Sequence, residues 1–239
     1  ARRYFDAAQD KFCHHPGPRL PPHGRGQARR SSMFAESKVL SFFPTGVWTH
    51  VLAPEDYEPL NARLKTKIYE LMAALPEGAR QTGNDLQNLP EFEEFVAYMS
   101  HATKGVLDFL QLEYGDFQIT GCWANVREKG APEHKAHAHP NNFLSGVYYV
   151  QVQEGGNVID LHDPRPQVNI MAPKRKKFTE HNTRDVHLTV RTGSLIVFPA
   201  WLLHSVQPNE SELDRISVSF NAMLSDYTDE ISPPRWRPR

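Results

Sequence analysis

From Phe117 onward the apolar residues of this chain alternate with polar ones, whereas before that point they recur at helical spacing. Alternation is typical of half-buried strands, and strands that follow helices rather than alternate with them favour antiparallel sheets. We therefore expect a mainly β fold with flanking helices (α+β), not a parallel α/β sheet. The expected strands lie near residues 117–126, 133–139, 144–152, 156–162, 167–171, 186–191, 194–199 and 214–224, with a hairpin turn at 154–157.

The first half of the chain predicts two helices. One begins at Pro54 and carries an apolar stripe at three-and-four spacing, and the other runs from about residue 90 to 111. We interpret residues 54–112 as helical support for a core at 117–224, with two short strands, 39–43 and 47–52, ahead of the helices.

The segment 1–32 is rich in proline, histidine and arginine and has no apolar periodicity, so we expect it to be flexible. Residues 33–239 are then expected to form a single domain.

Charge and cysteine content restrict the class of protein. The 239 residues include 27 basic and 28 acidic side chains, so the net charge of −1 gives no electrostatic case for binding nucleic acid or a membrane. Cys13 and Cys122 form no disulfide framework, which predicts a reducing, cytoplasmic setting. No apolar run reaches the roughly 18 to 20 residues of a membrane span.

Histidines at fixed places in the strand pattern predict a metal site. His137 and His139 stand two residues apart in an extended segment, where both side chains point the same way and could share one ion. His204, after the strand at 194–199, is the candidate third ligand. Two or three imidazoles with open coordination positions suit iron(II), zinc or copper, so the ligands alone do not name the metal.

Arg215 restricts the kind of ligand that the site is expected to bind. It begins an alternating strand that places its guanidinium and the Ser217 hydroxyl on one face. A planar, permanently charged fork beside a hydroxyl suits a carboxylate. A metal with vacant positions and a carboxylate clamp together suggest a 2-oxo acid that chelates the metal and is held at its far end by Arg215.

From about Phe42 to Leu224 the chain resembles the 2-oxoglutarate/Fe(II)-dependent oxygenase superfamily, and more narrowly its bacterial and phage-type "putative 2OG-Fe(II) oxygenase" branch. The segments that carry the resemblance are Trp123–Asn125, His137–Pro140, Leu144–Tyr149, Asp163–Arg165, Phe198–His204 and Arg215–Asn221.

The resemblance implies a double-stranded β-helix (jelly roll) with N-terminal helices packed on one sheet. It implies Fe(II) held by His137 and His204, and 2-oxoglutarate held through its distal carboxylate by Arg215. O2 would be activated to hydroxylate a C–H bond of a small-molecule or amino-acid-like substrate, with release of succinate and CO2. We expect Asn125 and Tyr149 to line the same cavity, and Trp123 or Trp201 to form a wall of it.

The chain departs from the superfamily at one ligand. His139 stands where most members have an aspartate or glutamate. Asp163 is the alternative carboxylate, although we interpret it as a turn residue before Arg165.

Two rival functions stay open on the sequence. One is a cupin-like three-histidine metal dioxygenase or isomerase that does not use 2-oxoglutarate. The other is a non-enzymatic jelly-roll module with a structural metal. A homodimer is open as the assembly.

Overall fold

The computed structural model describes residues 36–165, 167–171, 173–179 and 181–226. The chain divides into two compact units, one ending at Phe43 and one beginning at Pro44, and every element below belongs to the second. The segment 1–32, predicted to be flexible, lies outside the described residues. The single domain at 33–239 stays a prediction. No helix within the described ranges has the length and apolarity needed to cross a bilayer.

Two long helices follow the first strand and precede the other strands, as expected. Helix α1 spans Pro54–Ala73 and helix α2 spans Glu93–Phe109, and two short 3₁₀ turns, Leu86–Asn88 and Pro90–Phe92, lead into α2. Pro54 stands in the first turn of α1, where a missing N–H costs nothing. Side chains three or four residues apart on each helix are fully buried: Leu60, Leu64 and Ile68 on α1, and Phe95, Met99 and Val106 on α2.

The strands form two antiparallel sheets. The five-stranded sheet has the order β1 (Trp48–Val51), β7 (Ser194–Pro199), β4 (Leu144–Gln151), β9 (Arg215–Leu224) and β2 (Phe117–Arg127). The four-stranded sheet has the order β3 (His134–His137), β8 (His204–Val206), β5 (Val158–His162) and β6 (Asp185–Thr189). This is the predicted double-stranded β-helix, with neighbours in each sheet that are far apart in sequence.

The five-stranded sheet separates two apolar layers. Its outer face packs on the helices, and its inner face packs on the four-stranded sheet. Adjacent tyrosines on β4 show the alternation: Tyr148 points outward and donates to the Asn61 side chain at 2.7 Å, whereas Tyr149 packs between the sheets with Ile159. The helices therefore support the sheet that forms the floor of an interior cavity.

Several local predictions were wrong. Residues 39–43 form no strand: Val39 and Phe43 are exposed. Residues 167–171 contain the four-residue helix α3 (Gln167–Ile170). The turn at 154–157 is not a hairpin, because β4 and β5 belong to different sheets and the turn carries the chain from one to the other.

Candidate functional site

Three histidines meet where β3 and β8 pair. His137 ends β3 and lies directly opposite His204 in the register. His139 follows β3 and is positioned by its backbone N–H, which donates to the carbonyl of Ala200 at 2.8 Å. One nitrogen of each ring lies within 4.8 Å of the others, close enough to share an ion after small side-chain rotations. The structure thus brings together the three histidines selected from the sequence.

Backbone carbonyls fix the tautomer of two of these rings. His137 Nδ1 lies 2.8 Å from the carbonyl oxygen of Lys135, and His204 Nδ1 lies 2.9 Å from that of Leu202. A carbonyl only accepts, so each Nδ1 carries the proton and leaves Nε2 with a free lone pair. Such an outer hydrogen bond is the usual support of a metal-binding imidazole. The His139 ring has no comparable bond within the described residues.

Burial keeps two of the site histidines, His139 and His204, uncharged. Desolvation lowers the pKa of His204 to about 4, with a smaller contribution from His137. Desolvation, and next the charge of His137, lowers the pKa of His139 to about 4. Neutral imidazoles are the form that binds metal, so these rings are ready to coordinate at neutral pH.

Sequence reasoning missed a fourth histidine. The β3–β8 register shifts between His134 and His137, and this irregularity lets both rings lie on the cavity side although they are three residues apart. The two rings stack with centroids 4.4 Å apart. Strict alternation assigns His134 and His137 to opposite faces, so their spacing along the chain gave no indication that His134 lines the cavity.

Asp163 lies apart from this cluster. Its carboxylate accepts from Arg165 Nε and Nη2 at 2.9 and 2.5 Å, as expected for a turn residue. The hydrogen bonds from Arg165 lower the pKa of Asp163. The described residues contain one group of metal-binding side chains with suitable spacing, and Asp163 is not in it.

The four residues predicted to hold the cosubstrate line one cavity between the sheets. Asn125, Ser217 and Tyr149 form a transverse row across β2, β9 and β4, because Asn125 and Tyr149 each pair with Ser217. Arg215 is next to that row on β9. Trp123 also lines the cavity, with its ring 5.7 Å from His139, whereas Trp201 is 56 % exposed and does not line it.

Arg215 is 4 % exposed and has no acidic partner among the described residues. Its Nη1 donates to the backbone carbonyls of Gln207 at 3.0 Å and Gly156 at 3.3 Å. Burial lowers the pKa of its guanidinium, which nevertheless stays charged. None of the residues lining the cavity is acidic, so the cavity suits an anion.

Arg127 was also missed. It follows Trp123 and Asn125 at alternating positions on β2 and lines the cavity directly opposite Arg215. This alternation along β2 was the sequence signal from which Arg127 could have been predicted to line the cavity.

Three histidines around one point and a buried guanidinium without a carboxylate partner fit a divalent metal and a carboxylate ligand. Solved structures share the fold. AviO1 from Streptomyces viridochromogenes Tue57 is 16 % identical, with a TM-score of 0.55 over 80 % of this chain and 92 % of that one. A Pseudomonas putida prolyl-4-hydroxylase is 16 % identical, with a TM-score of 0.53 over 75 % and 93 %. HygX from Streptomyces hygroscopicus, solved with nickel and 2-oxoglutarate bound, is 13 % identical, with a TM-score of 0.54 over 81 % and 86 %.

The fold is of the double-stranded β-helix class, and its histidine cluster could hold a metal ion. Within that class, the chain matches over residues 121–221 the sequence model described as "Putative 2OG-Fe(II) oxygenase". It is a 2-oxoglutarate/Fe(II)-dependent oxygenase, with Fe(II) as metal and 2-oxoglutarate as cosubstrate. Comparison with curated proteins gave no match.

Proposed function

We propose that His137, His139 and His204 hold Fe(II), and that the enzyme uses it to oxidise a C–H bond of a small molecule. The observation that carries the proposal is the convergence of the three rings, whose nitrogens lie within 4.8 Å of one another on the wall of a cavity. Three protein ligands leave positions open on an iron centre, as a catalytic site requires.

Arg215 would bind the distal carboxylate of 2-oxoglutarate, with Ser217 and Tyr149 beside it. The structure gives the Ser217 and Tyr149 hydroxyls no hydrogen bond to a described residue, and both line the cavity. A bidentate guanidinium and nearby hydroxyl donors are a suitable carboxylate site. Asn125, whose amide lies 3.4 Å from the Ser219 hydroxyl, would complete the row.

Fe(II) bound by these residues would allow O2 to act as the oxidant, with one oxygen atom going into succinate as 2-oxoglutarate loses CO2 and the other going into the substrate. The protein's own part is to hold the reactants and to keep acidic side chains, which would compete for Arg215, out of the cavity. We propose hydroxylation of a small-molecule or amino-acid-like substrate. The Pseudomonas putida neighbour, named as a prolyl-4-hydroxylase, supports that outcome. Mixed polar and aromatic lining, with Ser145, Ser219 and Trp123, suits a substrate of modest size and polarity.

The decisive experiment measures succinate and CO2 formed from 2-oxoglutarate by the Fe(II)-loaded protein in air, with and without a pool of metabolites. We expect slow turnover alone and faster turnover with pool fractions that contain the substrate, which mass spectrometry then identifies by a gain of one oxygen. Arg215→Leu is the matched variant, and it should raise the concentration of 2-oxoglutarate needed for half-maximal rate. Oxygen consumption without succinate would instead support the three-histidine dioxygenase.

We propose a reducing, cytoplasmic setting, supported by the free and buried thiol of Cys122. The balanced charge of the chain supports a small-molecule partner rather than nucleic acid or a membrane. For a homodimer, the exposed apolar residues at and after the end of α2, Phe109, Leu110 and Leu112, are a surface that a second copy could cover. Light scattering of the purified protein tests this assembly.

A further inference from the structure

Two arginines face each other across the floor of the cavity. Arg127 ends β2 and is the registered partner of Arg215, the first residue of β9. Side chains directly opposite on antiparallel strands have Cβ atoms about 4.5 to 5.5 Å apart, and like charges in that relation destabilise a sheet. A pair of guanidiniums in this position therefore needs a compensating anion.

The described part of the protein does not supply that anion. None of the residues lining the cavity is acidic. The one hydrogen bond of the Arg127 side chain is a 3.4 Å contact from Nη1 to the carbonyl of Pro132, and Arg215 donates to backbone carbonyls alone. Most of the ten N–H donors of the two guanidiniums are therefore left for a ligand.

The two carboxylates next to these arginines in the sequence have partners outside the cavity, and Asp214 accepts from the Tyr69 hydroxyl at 2.7 Å. Glu128 follows Arg127 but belongs to an exposed ion pair, in which it accepts from Arg80 Nη2 at 2.6 Å and Nε at 3.0 Å. Burial lowers the pKa of the Arg127 guanidinium and the charge of Arg80 lowers it further, whereas the charge of Glu128 raises it from outside the cavity. An arginine does not lose its proton at neutral pH, so the positive charge of the cavity persists.

We propose that Arg127 is a second carboxylate-binding residue, so that Arg127 and Arg215 hold the distal carboxylate of the 2-oxo acid between two guanidiniums. This inference rests on the proposed function. A carboxylate offers about four acceptor positions and can serve two guanidiniums at once. The arrangement would make the site selective for a dicarboxylic 2-oxo acid, because a monocarboxylic one leaves both cations uncompensated.

The test compares two ligands that differ only in the distal group. Full-length protein loaded with Ni(II) is titrated by calorimetry with 2-oxoglutarate and with 2-oxopentanoate, which has a methyl group in place of the distal carboxylate. Arg127→Met should weaken 2-oxoglutarate about tenfold or more and leave 2-oxopentanoate unchanged. Arg63→Met, which removes the same charge from an exposed ion pair with Glu94 on the helices, is the control and should leave both affinities unchanged.

A second readout separates binding from a structural role. Without any 2-oxo acid, Arg127→Met should raise the melting temperature of the Ni(II) protein, because it removes a like-charge pair and retains the aliphatic stem. Saturating 2-oxoglutarate should raise the melting temperature of Arg127→Met by less than it raises that of the wild type.

Equal weakening of both ligands, an unchanged affinity for 2-oxoglutarate, or a lower melting temperature of the ligand-free variant would each overturn the role of Arg127 and leave the proposed function intact. A wild type that binds 2-oxopentanoate as well as 2-oxoglutarate would overturn the distal clamp altogether, including the part assigned to Arg215.

Discussion

His204 is the most buried of the three histidines in the cluster, with 3 % of its surface exposed. The carbonyl of Leu202 orients it, and Phe198 packs against the ring with centroids 4.8 Å apart. Both contacts come from residues before β8, Leu202 in the turn and Phe198 on β7, so the direction of Nε2 is set before any ion arrives. Loss of this ring should therefore weaken metal binding, which needs the Nε2 lone pair, far more than it destabilises the fold.

His204→Ala should therefore remove most bound Fe(II) and all turnover while the fold persists. Iron stoichiometry and circular dichroism measure the two effects. The matched control is His162→Ala on the neighbouring strand β5, where the ring contacts Asp185 at 2.8 Å and Ser205 at 3.0 Å. That variant should keep its iron, and full iron in His204→Ala would refute the ligand assignment.

His139 is held less firmly than the other two histidines, since its backbone is bonded to Ala200 and its ring has no hydrogen bond within the described residues. His139→Asp should restore the ligand set common in the superfamily and retain iron, with altered activity. Asp163→Ala should lose only the turn contacts with Arg165. Iron loss in Asp163→Ala, together with full iron in His139→Ala, would place the aspartate in the metal site instead.

At the scale of elements, Gly146 on β4 lies directly opposite Phe220 on β9. A Cβ on this residue would lie 2.3 Å from the Phe220 ring and 3.0 Å from the carbonyl of Ile196. The ring is fully buried and the carbonyl belongs to the sheet, so neither contact can yield freely. A side chain at this position would therefore press on both neighbouring strands, β9 and β7.

Gly146→Ala should destabilise the protein by about 1 to 3 kcal/mol, in the range of an overpacked core. Urea unfolding measures the change. Gly105→Ala in α2 is the control, because a Cβ there meets nothing within 4 Å, and it should stabilise by about 0.5 to 1 kcal/mol. An equal response of the two variants would mean that Phe220 moves aside.

Elements with a clear period were predictable, and elements defined by their partners were not. Helix α1 and strand β9 follow from their apolar spacing. Strand β8, only His204–Val206, was missed because three residues give no period. Val39–Phe43 has strand-like composition, yet the structure gives it no ladder, and residue 43 has a φ of 57°. A strand-like composition is therefore not sufficient, because a strand also needs a neighbouring strand to accept and donate its backbone hydrogen bonds.

The site itself was predictable where the strand pattern is regular. Alternation correctly placed Arg215 and Ser217 on the cavity side of β9. It would also have found Arg127 on β2. It could not find His134, since a shift in pairing register is a property of two strands and is not written in either one.

At the scale of the whole molecule, the buried histidines connect stability to pH. Desolvation, and next the charge of His137, lowers the pKa of His134 to about 4, and burial does the same for His139 and His204. Their ordinary value is 6.5, so between these limits the unfolded chain binds more protons than the folded one. Stability must then rise with pH through this window and fall as the solution is acidified.

For metal-free protein, the unfolding free energy should fall as pH drops from 7 to 5, a range chosen to lie above the titration of ordinary carboxylates. The slope should reach at most about 1.4 kcal/mol per pH unit for each histidine. His139→Gln should flatten it. A flat profile in the wild type would mean that the three rings are more solvated than their burial indicates.

The order of strands in the two sheets was beyond reach of the sequence. Alternation after Phe117 indicated antiparallel layers, but β4 pairs with β7 and β9, which lie far along the chain. Such pairing depends on which faces bury each other, not on local preference. The hairpin expected at Gly155 fails for this reason: the turn is real, with a φ of 89° at that glycine, but it joins two layers.

One consequence concerns self-association. Strand β3 is at the edge of the four-stranded sheet and meets β8 at only two registered positions, one of them the His137–His204 pair. An ion held by that pair would fasten the edge strand to its neighbour. Loss of the ion would therefore have a second effect besides stopping turnover. The amide hydrogens of β3 would exchange faster, and the edge of the sheet could pair with a strand of another chain. Metal loading would in this way also protect the enzyme from aggregation.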